Sequence, residues 1–335
     1  VAERREPTLA DVAKLAGVSL TTVSRVLNNR GYLSQRTRDA VAEAIKELDY
    51  HPNQLARALH GKSTHTVGLI VPSTALPFFG ELAVGVENAL AKHGYRVLIC
   101  SSMGNVEREK QYLDLLLSNR VDGIITGAHN ENIAEYTTVR MPLVSIDREI
   151  PGVPNVRCDN VAGGKLATQR LLDAGAKHPA LLSSSSGPRN LRETGYREAL
   201  QHSGAEPVVL TVPFHTADVQ REQLIFKELD SVAAQIDAVF ATDDLTAATV
   251  LDWARRRGLK VPEDFKVVGF DGTTALRRAL PGLTTVRQPI ADLAEQAVSI
   301  LVEQIGKRQV GAPVKDSAPP LPCVLPVELV DGWTT

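Results

Sequence analysis

The sequence predicts a small all-α head of three helices, built on a helix-turn-helix and followed by a hinge helix, and an α/β body of two doubly wound subdomains. Three observations carry this. Residues 8–29 place apolar side chains at helical spacing on both sides of a glycine turn. From Thr66 onward, short apolar runs alternate with amphipathic stretches, the pattern of βαβ units. Between the two lies a segment, 50–63, that opens on His51-Pro52 and closes on Gly61.

In the first helix Thr8 is the expected cap, and Leu9, Val12, Ala13 and Ala16 share one face. Gly17 supplies the positive φ that the turn needs. Ser19 then caps a second helix whose Val23, Val26 and Leu27 point inward. Leu20, Thr21, Thr22, Ser24, Arg25 and Asn28 are left outward. Arg bonds guanine in bidentate fashion, Asn bonds adenine, and Thr or Leu methyls touch thymine, so this face suits the DNA major groove. An ordinary helical hairpin shares the same period; the surrounding sequence separates the two readings. A third helix over 34–48 packs Val41, Ala44, Ile45 and Leu48, and residues 49–52 end it. Residues 53–62 read as a two-turn helix capped at Asn53, too short to be stable alone and expected to order against a partner or DNA.

In the body the pattern predicts strands at 66–71, 95–101, 123–126, 143–146, 180–183, 208–212, 238–241 and 266–270. Helices are expected at 79–93, 106–118, 163–174, 192–202, 219–229 and 245–257. This much alternation fits two doubly wound subdomains, with ligand in the crevice at the strand C-termini. The Pro-rich stretch 309–322 reads as a surface loop.

The net charge is −2, which hides an uneven distribution. Residues 1–62 hold 10 Lys or Arg against 7 Asp or Glu, and the remaining 273 residues hold 27 against 32. Lys14, Arg25, Arg30, Arg36 and Arg38 lie between Val12 and Arg38 with no acidic residue among them. A basic head on a mildly acidic body fits a phosphate-facing module joined to one of another purpose. Cys100, Cys158 and Cys323 lack the paired spacing of a zinc or redox site and read as packing residues, so no metal and no cofactor are expected. With no signal peptide and no apolar run near the ~20 residues of a membrane span, a cytoplasmic location is expected.

Over nearly its full length the chain resembles the lac repressor family of bacterial transcription regulators. The resemblance rests on Leu9-Ala-Asp-Val-Ala, Ala16-Gly-Val-Ser and Thr22-Val-Ser-Arg-Val-Leu-Asn in the head, and on Leu48-Asp-Tyr-His-Pro-Asn with Ala56 in the hinge. In the body it rests on Val121-Asp-Gly-Ile-Ile, Val268-Gly-Phe-Asp and Leu283-Thr-Thr-Val-Arg-Gln-Pro. It implies a homodimer on a palindromic operator, with Leu20, Thr21 and Arg25 carrying most of the base readout. It also implies a hinge helix in the minor groove, where Leu59 wedges the central step and Asn53 and Arg57 add contacts. The domains implied are 1–50 for the head, 51–63 for the hinge and 64–335 for an effector-binding, dimerising body resembling periplasmic sugar-binding proteins. Its lobes would comprise about 64–161 with 292–325, and 162–291. By motif, Phe78 and Phe79 would stack a ligand ring, Arg192 would hold effector oxygens and Asp271 would accept from hydroxyls; Asp147, Phe214 and Asp243 are further candidates. Asp243 departs from the Asn more usual in the family. The effector implied is a small sugar, a pentose such as ribose first, with a purine or nucleoside as the alternative. A protein corepressor is also known in the family, and both induction and corepression remain open. No heptad tail follows Val330, so a dimer is expected.

Two rival functions fit less well. An enzyme would need a nucleophile elbow, a dinucleotide fingerprint or a phosphate loop, and Gly61-Lys62-Ser63 has Ala56 where such a loop requires its first glycine. No catalytic residue is assigned. A transport solute-binding protein would need a leader and would lack the basic head.

Overall fold

The computed structural model describes residues 7–27, 31–50, 63–127, 130, 133–201, 203–214, 218–309 and 321–335. The chain divides into two compact units, Val1–Thr64 and His65–Thr335.

The first unit contains helices α1 (Leu9–Leu15), α2 (Leu20–Leu27) and α3 (Gln35–Glu47). A reciprocal capping box opens α1: the Thr8 hydroxyl accepts from the Asp11 amide, and the Asp11 carboxylate accepts from the Thr8 amide at 2.8 Å. Gly17 makes the turn at φ 65°, and the Ser19 hydroxyl accepts from the Thr22 amide at 3.1 Å to start α2. Ser34 does the same for Thr37 at α3. Val12, Ala13, Val23, Val41 and Ala44 form the core, flanked by Leu9, Ala16, Val26, Leu27, Ile45 and Leu48. Asp49 ends α3 in the left-handed region at φ 49°, while the Tyr50 amide closes back on the Ile45 carbonyl. The expected hinge helix lies outside the described residues.

The second unit holds two six-stranded sheets. The first lobe comprises β1 (Thr66–Val71), α4 (Pro77–Lys92), β2 (Arg96–Ser101), α5 (Val106–Ser118), β3 (Gly123–Thr126), α6 (Glu135–Thr138), β4 (Leu143–Ile146) and β5 (Asn155–Cys158). The second comprises α7 (Asn160–Asp173), β6 (Pro179–Ser183), α8 (Leu191–Leu200), β7 (Val208–Thr211), α9 (Asp218–Val232), β8 (Ala238–Ala241), α10 (Asp244–Arg256), β9 (Lys266–Asp271), α11 (Thr274–Ala279) and β10 (Thr284–Arg287). The chain returns to the first lobe with α12 (Ile290–Gln309) and β11 (Cys323–Leu325), then ends in the second with β12 (Glu328–Val330). Strand orders are β11-β5-β4-β3-β1-β2 and β12-β10-β9-β8-β6-β7. All pairings are parallel except β10 with β12. Three strands of chain therefore cross between the lobes, at residue 159, at 288–289 and at 326–327.

Each sheet carries an apolar core on both faces, which is the doubly wound arrangement. In the first lobe α4 and α12 cover one face through Leu82, Val86, Leu293, Ala297 and Leu301, and α5 covers the other through Leu113 and Leu116. In the second lobe α9 and α10 cover one face through Ile225, Leu229, Val250 and Trp253, and α7 and α8 the other through Leu171 and Tyr196. β5, β10, β11, β12, α6, α11 and α12 are additions to the sequence-based set. Of these, α12 has a clear helical spacing, whereas β5 and β10 are too polar to read as buried strands: Asn155, Thr284 and Thr285 all lie in the interior. Cys100 and Cys158 are buried and Cys323 is half-buried, none of them in a disulfide. Among the described residues no helix is long and apolar enough to cross a membrane, and no cluster of metal-ligating side chains occurs.

Candidate DNA-reading face and effector cleft

The recognition helix presents a short outward set. Leu20 is 51% exposed, Thr21 and Arg25 are exposed, and Thr22 and Ser24 are half-buried. Thr22 is also engaged locally, its hydroxyl 2.9 Å from that of Ser19. Val23 is fully buried against α1 and α3, so the inner face orients the outer one. Arg25 reaches back beside Gly31, where an added Cβ would lie 3.9 Å from its guanidinium. Asn28, Asn53, Arg57 and Leu59 lie outside the described residues.

In the body, polar side chains converge at the C-terminal ends of strands from both lobes. Asp147 follows β4 at φ 66°, and Asp271 ends β9 at φ 106°. Non-glycine residues in this region cost ~1–3 kcal/mol each and cluster at functional sites. Arg192 sits near the start of α8, held close to α7 by two glycines. A Cβ at Gly164 would fall 2.2 Å from the Arg192 carbonyl oxygen, and one at Gly195 would fall 2.0 Å from that of Val161. This close approach lets Arg192 Nε donate to Asn160 Oδ1 at 2.7 Å, while Nη1 donates to the Thr242 carbonyl. Asn160 Nδ2 donates in turn to Asp147 Oδ1 at 3.3 Å. The guanidinium carbon of Arg192 stacks 3.8 Å from the Phe270 ring centre, and Nη1 lies 4.0 Å from Asp271 Oδ1. Gln288, in the second crossover, donates to the same Asp271 oxygen at 2.8 Å. A polar chain thus runs Asp147–Asn160–Arg192–Asp271–Gln288, spanning both lobes and a crossover. Asn160 and Gln288 are not legible as site residues: Asn160 lies in no motif, the string that contains Gln288 assigns it no role, and only the tertiary fold brings Asn160 to Arg192 and Gln288 to Asp271.

Burial shifts the acids here. The Asp271 carboxyl is pushed well above the usual carboxylate range by desolvation, opposed by Arg192 and reinforced by Asp244 and Asp243. Asp244 is pushed up to about 7, chiefly by burial, although it accepts from the Gly272 amide at 2.9 Å and the Thr285 hydroxyl at 2.6 Å. Asp244 therefore braces the β9 and β10 ends. Its neighbour Asp243 caps α10, taking the Thr246 amide at 2.7 Å on one oxygen and the Thr246 hydroxyl at 2.6 Å on the other. Both oxygens expected to meet an effector are thus engaged within the protein. Cys158, at the first crossover, has its thiol pushed up to about 12 by burial.

The aromatic candidates occupy different environments. Phe78 and Phe79 are 7% and 3% exposed and pack edge-to-face, 5.0 Å between centres, in the first-lobe core. The expectation that both present a face to ligand is modified accordingly: Phe79, Leu82, Ala83 and Val86 follow the helical period and turn Phe79 inward. Phe214, which follows β7 in the second lobe, is half-buried and packs against that same first-lobe core. One further bond crosses the cleft, from the Thr274 amide of α11 to the Glu81 carboxylate of α4 at 2.8 Å.

A helix-turn-helix head joined to a two-lobed body with a polar interlobe cleft defines a DNA-binding regulator controlled by a small ligand. Residues 8–53 match the model for bacterial regulatory proteins of the lacI family, and residues 64–315 match that for periplasmic binding proteins and the sugar binding domain of the LacI family. The chain belongs to the LacI family. It is 42% identical over 335 residues to the sucrose operon repressor of Pediococcus pentosaceus, covering 98% of this chain and 99% of that one. It is 37% identical over 304 residues to the ribose operon repressor of Halalkalibacterium halodurans, covering 90% and 91%. The structure of the lac repressor dimer bound to operator and the anti-inducer ONPF superposes with a TM-score of 0.79 at 26% identity, covering 98% and 99% of the two chains. The chain is accordingly a ligand-responsive transcriptional repressor, of a family whose members are regulators rather than enzymes.

Proposed function

We propose that this repressor binds a palindromic operator as a homodimer and that a neutral sugar in the interlobe cleft controls its affinity for DNA. The observation that carries the sugar reading is the Asp147–Asn160–Arg192–Asp271–Gln288 chain at the mouths of both sheets. Carboxylates accept from hydroxyls and a guanidinium fork donates to them, so the set suits a polyol. Phe78 and Phe214 supply the apolar wall, backed from the core by Phe79, with Phe214 the ring that comes from the opposite lobe. Asp243, engaged at the α10 cap, shapes the rim rather than meeting the sugar as a free carboxylate.

The names of the relatives support sugars as a class, and a pentose such as ribose remains the first ligand to try. Leu20, Thr21 and Arg25 carry base readout in this reading, with Thr22 and Ser24 flanking them. The hinge residues Asn53, Arg57 and Leu59, and Asn28 after α2, contribute further contacts.

The test is thermal unfolding of the full chain against ribose and other pentoses, hexoses, sucrose, sugar phosphates, nucleosides and purines. A ligand at 100 times its Kd adds ~2.7 kcal/mol. Stabilisation by a neutral sugar that also changes operator affinity is the expected result. Stabilisation by a purine, a nucleoside or a sugar phosphate instead would overturn the reading.

A further inference from the structure

Beyond the polar chain, one cation in the second lobe has no role in the reading so far. Arg221, on α9, is largely buried, with 18% of its side chain exposed. Its Nη1 donates to the carbonyls of Val212 and Pro213, at 3.3 and 2.9 Å. Its Nη2 donates to the Thr246 hydroxyl at 3.2 Å and lies 3.7 Å from Asp243 Oδ2. The Thr246 hydroxyl gives its own proton to Asp243, so it accepts from Arg221 without conflict. One guanidinium therefore ties the exit of β7 to the N-terminal cap of α10.

The residue that leaves this clamp is Phe214, the ring that crosses to the first-lobe core. The sheet ladder does not continue to that point. The Val212 amide still bonds the Ser183 carbonyl, but Pro213 has no N–H to offer. Arg221 thus holds two consecutive carbonyls on the path of the chain into Phe214. Arg suits this task better than Lys, because a planar fork holds a fixed direction toward several acceptors at once. The engagement of Asp243 has the same explanation: its carboxylate anchors the cap and partners the guanidinium.

We propose that Arg221 is a positioning residue of the effector cleft, holding the 212–213 turn so that Phe214 seats against the first lobe. This rests on the sugar reading for its functional consequence, while the positioning itself can be measured without any ligand. In the ligand-free full-length protein, R221M is expected to speed amide hydrogen exchange at residues 210–212 and 214. Exchange in β8 and β9 should keep its rate, and R221K should restore protection only in part. Unchanged exchange at 210–212 and 214 in R221M would overturn the proposal, whether or not any sugar binds. With ribose and sucrose as probes, R221M should lower the affinity of whichever binds the parent by roughly ten-fold, ~1.4 kcal/mol. F214A should lose a similar factor, and R221M with F214A together should lose no more than F214A alone. Losses that multiply in full would show that Arg221 acts other than through Phe214, and would overturn the assignment. Failure of both sugars to bind the parent would count against the sugar reading alone, with the exchange experiment still deciding the positioning role.

Discussion

Glu81 and Thr274 join the two lobes across the cleft: the Glu81 carboxylate accepts from the Thr274 amide at 2.8 Å and from its hydroxyl at 3.2 Å. Glu81 lies one turn into α4 and Thr274 opens α11, so a carboxylate from one lobe meets amide hydrogen at a helix start in the other. The bond exists only when the lobes approach, and it therefore favours the closed body. E81A is expected to open the body in the absence of ligand, measured as a larger radius of gyration by small-angle scattering. It should also weaken sugar binding by several-fold, in line with the ~0.5–1.5 kcal/mol net value of a hydrogen bond. An unchanged radius together with unchanged affinity would show that the bond has no part in closure.

Arg192 touches Asn160, the Thr242 carbonyl, Asp271 and the Phe270 face. R192K keeps the charge and loses the fork, leaving Asn160 and the Thr242 carbonyl to compete for one ammonium. Sugar affinity measured by calorimetry should fall at least ten-fold, on the order of 1.4 kcal/mol, with operator binding in the absence of sugar retained.

Arg25 is exposed on α2 and contributes little to the head core. R25A is expected to cost ~1–3 kcal/mol of operator affinity, the range of one good base contact. The melting temperature should stay close to that of the parent. Anisotropy with a labelled operator duplex separates the two effects, and undiminished binding would remove Arg25 from the readout set.

The buried acids predict the sign of a pH dependence. Asp244 titrates at about 7 in the folded chain, against an ordinary carboxylate value near 3.9 in the unfolded one. Between those values the folded state holds a proton that the unfolded state has released. Its contribution to stability is present in full below about pH 4 and is lost as pH rises through 7. Asp271 and Glu109, both raised by burial, act in the same direction. Stability from denaturant titrations should fall from pH 5 to pH 8, with D244N removing a share of the slope. One proton corresponds to at most ~1.4 kcal/mol per pH unit.

Close helix packing beside the site makes Gly195 a sensitive position. The Cβ of G195A would lie 2.0 Å from the Val161 carbonyl oxygen and 2.7 Å from the Lys165 amide nitrogen, both backbone atoms of α7. The helices must separate, at a cost of ~1–3 kcal/mol or more, and Arg192 moves away from Asn160 with them. A lower melting temperature accompanied by weaker sugar binding is expected; a melting temperature equal to the parent's would mean that α7 yields freely.

Much of this molecule is local, and what is local is legible in the chain. Thr8, Gly17, Ser19 and Ser34 act on amides within a few residues, so the caps and turn of the head follow from spacing. The same holds for β1, β3, β4 and β8, each an apolar run bounded by turn residues, and for the outward exposure of Leu20, Thr21 and Arg25. Family motifs add Arg192 and Asp271 as candidates, but not the residues that hold them. Tertiary structure decided that β5 and β10 are strands despite Asn155, Thr284 and Thr285: Asn155 Nδ2 donates to the Ser145 hydroxyl, the Thr284 hydroxyl pairs with that of Thr335, and the Thr285 hydroxyl donates to Asp244. It likewise decided that Asn160 bridges Arg192 to Asp147, that Arg221 clamps the turn into Phe214, and that Glu81 reaches Thr274. Each of these is a hydrogen bond between groups on different segments, from 8 residues apart for Arg221 and Pro213 to 193 apart for Glu81 and Thr274. Such a bond leaves no period or cap in the sequence, because its geometry exists only after the sheets have formed and, for Glu81 with Thr274, after the crossovers have brought the lobes face to face.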